Sequence, residues 1–280
     1  MQTRHIDRER YFNELASTSR EFYIDYLKRF KNIDSNTRIL EIGCGEGGNL
    51  LPFAESGCTV AGLDLASGKI ENAGKFFASR NVKGKFACAN FLTDNPFAED
   101  GGFDIILIHD VIEHIEPDGK EAFFLRCKNY LKPDGIVFFG FPAWQMPFGG
   151  HQQICKSRVC STVPFMHVLP APVYKAWLKM FGEEPAKIDE LLSIKRSRMM
   201  PELFEKLCNK TCYEVNDRIF WFISPHYKAK FGLRPRRLCS LLAHIPYVRN
   251  WFTTSCFYII KPKQRDELES KCDACIRASH

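Results

Sequence analysis

The chain has 280 residues, of which 45% are hydrophobic and 26% charged, and its net charge is +6. This length allows one large α/β domain with additions and an ordinary buried core. The mild positive charge permits an anionic substrate but does not require nucleic acid. The charged start of the chain is unlike a signal peptide, and its apolar runs are too short to span a membrane. Because the 12 cysteines accompany no secretion signal, we expect a reduced cytoplasmic protein.

The first half of the chain alternates between helical and strand patterns. Apolar residues at helical spacing predict an N-terminal helix from Arg8 to Phe30. Continuous apolar strands separated by helices are typical of a parallel sheet covered on both faces. The predicted strands are 38–42, 58–63, 85–89, 103–108 and 136–141, and the helices between them are 49–55, 67–79 (with Ser67 as N-cap) and 121–131.

The second half is less regular. Residues 143–198 break the alternation with Pro-rich and aromatic sequence and two predicted helices, and we interpret them as a substrate or lid insertion after a cofactor-binding half, 1–142. Residues 199–262 contain a surface helix and two long strands, 212–223 and 251–260, with a second insertion at 225–250. The polar tail is 263–280. The predicted fold is a Rossmann-like, doubly wound α/β fold with a seven-stranded, mostly parallel sheet, an antiparallel last strand and helical lid insertions.

The segment from Arg38 to Asn49 is the most informative, because an apolar run ends in an acid and leads into a glycine turn. Glycines let the backbone bend sharply and let a ligand approach closely, and the N–H groups that open the next helix can bind it. Gly43, Gly45 and Gly48 satisfy the dinucleotide pattern G-x-G-x-x-G. Glu41 with Gly43, Gly45 and Gly47 gives E-x-G-x-G-x-G, which resembles the first motif of class I S-adenosylmethionine-dependent methyltransferases.

The acid at position 41 favours the second pattern. A carboxylate beside the loop would repel a pyrophosphate and attract the ammonium and sulfonium groups of S-adenosylmethionine. A nicotinamide-dependent reductase or epimerase is the alternative enzyme class. Its short-chain forms need Tyr-x-x-x-Lys, which the sequence does not contain.

Polar side chains follow the next strands, where ligands of parallel sheets bind. Asp64 ends the second strand, and its carboxylate can accept both ribose hydroxyls of a nucleoside; a turn or N-cap aspartate is the alternative. Asn90 ends the third strand and can accept from an adenine amino group, although a plain turn asparagine is almost as well supported. Phe91 can flank the adenine or pack in the core.

The resemblance to class I methyltransferases extends over 38–142. The segment His109-Asp-Val-Ile-Glu-His114 and the strand entry Leu131-Lys-Pro-Asp-Gly135 are similar to those of family members that act on small molecules. An N-terminal helix often covers the cofactor in that family, and Tyr11 and Phe12 are candidates here, with packing as the alternative. The resemblance implies cofactor contacts by Tyr11, Glu41, Gly43, Cys44, Gly45, Gly47, Asp64, Leu65, Asn90, Phe91, His109 and Asp110.

Substrate contacts are expected from the aromatic, amide-rich loop after the fifth strand, 141–153. Its glycines permit a hinge, so it is interpreted as a lid. The substrate candidates are Trp144, Gln145, His151 and Gln152, or else the loop is simply anchored by its aromatic residues. His151 is the favoured base and His109 a second catalytic candidate, whereas His114 is assigned a packing or orienting role.

No metal is expected. Cys155, Cys160, His151 and His167 have no recognised ligand spacing, and the pair Cys272–Cys275 is interpreted as incidental. Basic residues near the insertions permit an anionic acceptor. The segment Pro235–Ile245 has an amphipathic pattern that allows weak contact with a membrane surface, with core packing as the alternative.

These features predict a methyltransferase that uses S-adenosyl-L-methionine and transfers a methyl group to an oxygen or nitrogen atom of a small molecule. A nucleic-acid amino group is a less favoured acceptor, because the [Asp/Asn]-Pro-Pro-[aromatic] pattern is replaced here by His109-Asp-Val-Ile. A non-catalytic cofactor-binding protein is the remaining alternative, since the binding residues are clearer than the catalytic ones.

Overall fold

The computed structural model describes residues 7–263, and its centre is one eight-stranded sheet in the order β3-β2-β1-β4-β5-β8-β6-β7. Strands β1 to β5 run parallel to one another, and β8 lies antiparallel between β5 and β6. The mostly parallel sheet and its antiparallel last strand confirm the predicted fold class. The strands are β1 (Arg38–Ile42), β2 (Thr59–Asp64), β3 (Lys85–Cys88), β4 (Phe103–His109), β5 (Leu131–Phe141), β6 (Tyr213–Ile223), β7 (Arg236–Arg237) and β8 (Ser255–Pro262).

The sheet has eight strands where the sequence predicted seven. The additional strand, β7, has two residues and pairs with Trp221 and Ile223 at the edge of the sheet. It lies within the second insertion and is too short to give an alternating pattern. The predicted last strand also begins later than expected, because Arg249–Phe252 form a 3₁₀ turn before β8.

Helices cover both faces of the sheet. The predicted N-terminal helix consists of two α-helices joined by a π-helical stretch, Ser19–Tyr23. Ser67 does not cap α4, since Ala66 occupies the N-cap position without a side-chain bond. The helices are α1 (Arg8–Thr18), α2 (Ile24–Lys28), α3 (Leu51–Glu55), α4 (Ser67–Ser79), α5 (Lys120–Tyr130), α6 (Arg158–Thr162), α7 (Ala171–Met180), α8 (Pro185–Ser197), α9 (Pro201–Lys210), α10 (His226–Phe231) and α11 (Ser240–Ala243).

Two apolar layers flank the sheet because neighbouring residues of one strand point to opposite faces. In β4, Ile106 and Ile108 belong to one layer, while Ile105 and Leu107 belong to the other. Full burial of each such side chain contributes about 1.5–3 kcal/mol. A third, smaller cluster forms within the first insertion around Tyr174. The insertion is therefore a packed unit with its own apolar centre.

The ten cysteines among residues 7–263 are all unpaired. Cys44 and Cys127 are buried as expected, but Cys88 is exposed because β3 is the edge strand of the sheet. Within the same part of the chain, no helix is both long and apolar enough to cross a bilayer. The predicted polar tail, except Lys263, and the pair Cys272–Cys275 lie outside the described residues.

Candidate active site

Two cavities of about 440 Å³ each meet at the carboxyl edge of the sheet. The first, here called the loop cavity, lies beside the glycine loop and the ends of β1 and β2. The second, the insert cavity, lies between the ends of β4 and β5, the N-terminal helix and the first insertion. Both are within the size range of small-molecule sites. Four residues line both cavities: Lys69, Asp110, His114 and Glu190.

The glycine loop forms one wall of the loop cavity through Gly43. Gly43 has φ +73°, and a Cβ atom there would come within 2.4 Å of Val111. Its N–H donates to the carbonyl of Leu63 at the end of β2. Gly45 and Gly47 also have positive φ values. The loop thus needs glycine for its backbone conformation and, at position 43, for lack of space.

Asp64 lies at the end of β2 and lines the loop cavity. One carboxylate oxygen accepts from the N–H of Gly45 at 3.0 Å and the other from the N–H of Ala66 at 2.9 Å. Lys69 Nζ lies 3.7 Å away. Each oxygen has a second lone pair, so the anchored carboxylate still has capacity for ligand hydroxyls.

The position of Glu41 differs from the sequence prediction. Its side chain is 1% exposed and lines neither cavity, and Oε1 accepts from the amide of Asn49 at 2.7 Å. Burial raises the pKa of Glu41 to about 8. The carboxyl group therefore lies beneath the loop, and the predicted charge at the loop mouth is not present in this structure. Its contact with Asn49 instead ties β1 to the turn that follows the loop.

Several other residues predicted to contact the cofactor do not line the loop cavity. The Cys44 side chain is buried, and Gly45 and Gly47 do not line the loop cavity. Tyr11 lines the insert cavity rather than the loop cavity. Phe12 lies on the buried face of the N-terminal helix, in ring contact with Phe76 and Phe77. It therefore packs in the core, which was the alternative to a cofactor contact.

The far end of the loop cavity contains Leu65, Asn90 and Phe91. Leu65 is 72% exposed, which makes it an apolar wall open to solvent. The Asn90 side-chain oxygen accepts from the N–H of Leu92, as in the turn alternative. Phe91 packs against Phe123 in the core while one part of it lines the cavity. For Asn90 and Phe91, the structure is thus compatible both with an adenine contact and with the turn or packing role.

His109 and Asp110 follow β4 and line the insert cavity. His109 Nδ1 lies 3.4 Å from Asp110 Oδ2. His109 Nε2 is buried and has no hydrogen-bond partner among residues 7–263. Burial would raise the pKa of Asp110, but the charges of four surrounding histidines outweigh it and hold the pKa below its ordinary value. Those histidines are His109, His151, His226 and His114.

A 3₁₀ turn, Ile112–His114, carries the next two polar residues. His114 opens onto both cavities, and Glu113 is 2% exposed. His151 comes from the first insertion, and its Nε2 lies 3.5 Å from Glu113 Oε1. The His114 and His151 rings meet edge to face, with centroids 4.9 Å apart. The structure therefore joins the segment after β4 to the insertion through these three side chains.

Lys120 supports this turn from below and was not identified from the sequence. Its side chain is 1% exposed. Nζ donates to the carbonyls of Ile112 and Ile115 and to the hydroxyl of Ser197. Lysine is seldom buried without partners, but its sequence position at the start of α5 resembles that of any surface helix residue.

Only one of the four substrate candidates lines a cavity. His151 does, whereas Trp144, Gln145 and Gln152 are at most 9% exposed and line neither. Gln152 Nε2 donates to the carbonyl of Pro147, so this side chain anchors the loop, as the alternative interpretation expected. Other side chains of the same segment line the insert cavity: Met146, Phe148, Gln153 and Ile154. Other lining residues missed from the sequence are Lys69, Glu190, Ser224, His226, Thr254 and Ser255.

A comparison with known protein families finds a match to the core of this fold. The model of a family described as "Methyltransferase domain" matches residues 39–135, from β1 to the start of β5. This range includes the glycine loop, Asp64 and the turn after β4. This part of the chain is therefore similar to a methyltransferase domain.

Curated relatives of this chain include ubiquinone biosynthesis O-methyltransferases. The one from Rickettsia typhi is 30% identical over 119 residues, which is 42% of this chain and 46% of that protein. The one from Neisseria meningitidis serogroup C is 33% identical over 118 residues, which is 41% of this chain and 48% of that protein. The match thus spans about half the length of these relatives.

Solved structures share the fold over most of the chain. An S-adenosylmethionine-dependent methyltransferase from Clostridium acetobutylicum aligns with a TM-score of 0.55 at 13% identity, covering 89% of this chain and 92% of the other. A magnesium protoporphyrin IX methyltransferase from Synechocystis, with bound SAH, aligns with a TM-score of 0.53 at 12% identity, covering 89% and 84%. At these identities the likeness extends to the fold alone.

Proposed function

We propose that the protein transfers a methyl group from S-adenosylmethionine to an oxygen or nitrogen atom of a small molecule. The observation that carries this proposal is the pair of cavities that meet at Asp110 and His114. A transferase for two small molecules needs two compartments with a shared wall, so that donor and acceptor face each other. The methyltransferase domain match, which contains the loop cavity's glycine turn, supports S-adenosylmethionine as the donor.

The loop cavity fits the nucleoside part of S-adenosylmethionine. The lack of space for a Cβ at Gly43 and the two anchored oxygens of Asp64 provide a close backbone wall and a fixed hydroxyl acceptor. Leu65, Asn90 and Phe91 would frame the adenine at the far end. When bound, the sulfonium supplies an activated methyl group. Glu41 would act indirectly, by holding Asn49 below the loop.

The insert cavity is the proposed acceptor site. Its walls combine apolar side chains, such as Met146 and Phe148, with hydroxyl, imidazole and amide groups. A hydroxyl acceptor must lose a proton during transfer. His151 lines this cavity, with the buried Glu113 carboxylate 3.5 Å from its Nε2, and is placed to promote that loss. Because relatives named ubiquinone biosynthesis O-methyltransferases match residues of this half of the chain, an oxygen acceptor is favoured over nitrogen.

Calorimetric titration with S-adenosylmethionine, S-adenosylhomocysteine and NADH tests the donor. We expect both adenosyl compounds to bind with one site per chain and NADH to give no signal. Binding of NADH alone would overturn the proposal in favour of a reductase. Formation of S-adenosylhomocysteine with a panel of hydroxyl and amine acceptors then tests turnover, and its absence with every acceptor would favour a non-catalytic binding protein.

A variant separates donor binding from acceptor chemistry. His151→Ala should retain S-adenosylmethionine binding, because His151 lines only the insert cavity. Its turnover should fall by about 100-fold, a typical effect of losing a proton-transfer group. Full activity in this variant would remove His151 from the proposed chemistry.

A further inference from the structure

We propose that Glu113, His114 and His151 form a binding site for a divalent transition-metal ion where the two cavities meet. Each of these residues offers one ligand atom, and the three atoms lie within 4.8 Å of one another. Two residues belong to the turn after β4 and the third to the first insertion. The ion would therefore connect the sheet to the insertion.

The spacing of the donor atoms supports this assignment. Ligands about 2.0–2.2 Å from one tetrahedral metal ion lie roughly 3.4 Å from each other. The distance from His151 Nε2 to Glu113 Oε1 is 3.5 Å, which is long for a hydrogen bond. The edge-to-face arrangement of the His114 and His151 rings brings a second imidazole beside the same carboxylate. Two imidazoles and one carboxylate leave further coordination positions open, as in catalytic zinc sites.

A second observation in favour of the metal site is the buried carboxylate of Glu113, which lacks hydrogen bonds. Its side chain is 2% exposed, and neither carboxylate oxygen has a hydrogen-bond partner among residues 7–263. His151 Nε2 likewise has no hydrogen bond in this part of the chain. Burying a carboxylate without partners is costly. An ion pair with protonated His151 would satisfy at most one of the two oxygens, whereas a cation between the three side chains would neutralise the carboxylate.

The backbone around the cluster is adapted to this arrangement. His151 has φ +57°, an uncommon value for a residue other than glycine. A Cβ at the preceding Gly150 would come within 2.2 Å of His167, so glycine there lets the segment that carries His151 pack closely within the insertion. Lys120 fixes the turn that carries Glu113 and His114 through its bond to the carbonyl of Ile112. Asp110, which lines both cavities, adds a negative charge beside the site.

The donor set selects the class of ion. Imidazole nitrogen suits zinc, iron and copper, whereas a carboxylate oxygen also suits manganese. A divalent ion with open positions can bind a hydroxyl oxygen and lower its pKa. At the shared wall it would hold an acceptor hydroxyl, whose proton would pass to solvent through the open cavity. This last role rests on the proposed function, but binding of the ion does not.

Titration of chelator-treated, untagged protein with Mn²⁺ is the direct test, followed by electron paramagnetic resonance and calorimetry. Mn²⁺ is the better probe because the 12 cysteines of the chain would compete for Zn²⁺. We expect one Mn²⁺ per chain. Glu113→Gln and His151→Ala should each weaken binding at least tenfold. The matched control Glu116→Gln should bind like the wild type, because Glu116 pairs with Arg196 on the surface.

Thermal unfolding distinguishes a lost ligand from a misfolded variant. Without metal, Glu113→Gln should unfold at or above the wild-type temperature, because it removes an unpartnered buried carboxylate. Mn²⁺ should raise the melting temperature of the wild type and of Glu116→Gln but not of Glu113→Gln. Absence of Mn²⁺ binding to the wild type, or equal binding by Glu113→Gln, would overturn the proposal.

The result is independent of the proposed donor. If Mn²⁺ binds and S-adenosylmethionine does not, the metal site stands and the methyltransferase proposal fails. If S-adenosylmethionine binds and Mn²⁺ does not, the metal site fails alone. With both bound, omission of Mn²⁺ should lower turnover without changing S-adenosylmethionine affinity more than twofold, and an unchanged turnover would remove the ion's role toward the acceptor.

Discussion

At the scale of single residues, Asp64 is the most direct test of the loop cavity. Asp64→Ala removes both carboxylate oxygens and should weaken S-adenosylmethionine binding at least tenfold, which corresponds to about 1.4 kcal/mol. Asp25→Asn, on the exposed face of α2, is the control and should bind normally. Calorimetry measures both affinities. Unchanged binding by Asp64→Ala would mean that the ribose is held elsewhere.

Glu41 provides a prediction of pH dependence. Its folded pKa of about 8 lies above the ordinary 4.5, so the folded state binds the proton more tightly than the unfolded state. Stability from this group is complete below about pH 4.5 and is lost as the pH rises toward and through 8. Glu41→Gln should reduce the fall in unfolding free energy between pH 5 and pH 8.5, by an amount on the order of a few kcal/mol.

Urea unfolding at the two pH values measures this difference. Glu9→Gln, on the exposed face of α1, is the control and should keep the wild-type pH dependence. An equal loss of stability in the wild type and Glu41→Gln would show that the carboxyl group is not held in its protonated form.

At the scale of elements, the glycine loop combines two separate restrictions. Gly43 and Gly45 both have positive φ, but only at Gly43 does a Cβ meet a neighbour within 4 Å. Alanine at either position costs about 1–2 kcal/mol for the left-handed backbone. Gly43→Ala should therefore lower the melting temperature of the ligand-free protein more than Gly45→Ala. Equal shifts would mean that Val111 moves aside at little cost.

The turn Ile112–His114 depends on Lys120. Lys120→Met preserves much of the apolar length but leaves three buried acceptors without their donor. We expect a loss of about 3 kcal/mol in unfolding free energy, within the range for removing one partner of a buried charged group. Chemical denaturation measures this loss, and Lys128→Met, a partly exposed position on the same helix, is the comparison. Similar stability of the two variants would contradict the supporting role of Lys120.

At the scale of the whole molecule, the second insertion exposes apolar side chains among basic residues. Leu241 and Ile245 are 78% and 41% exposed, whereas Leu238 is 8% exposed and packs in the core. Core packing thus accounts for part of the segment 235–245 but not for these two residues. We expect weak, salt-sensitive binding to vesicles that contain anionic lipid.

Co-sedimentation with vesicles tests this surface. Leu241→Asp should reduce the bound fraction at least threefold, while Val173→Asp, at an exposed position in the first insertion, should not. Equal binding to neutral and anionic vesicles, or no binding at all, would contradict the contribution of the basic residues.

Much of this molecule follows from the sequence because local patterns determine it. The apolar runs, the glycines with their required backbone and Asp64 at a strand end predict the fold class and the loop cavity, since each depends on neighbours along the chain. Glu41 shows the limit of such patterns. Its spacing indicates a loop residue, but whether its carboxyl group faces a ligand or Asn49 depends on packing.

The proposed acceptor site depends on the tertiary structure alone. Glu113 and His151 are separated by 38 positions that include α5 and β5, and only the folding of the insertion over the carboxyl edge brings their side chains 3.5 Å apart. Lys120 likewise supports the site only because α5 and α8 pack around the turn. Hydrophobic periodicity specifies which face of an element is buried, but it does not specify which distant polar groups become neighbours when the buried faces meet.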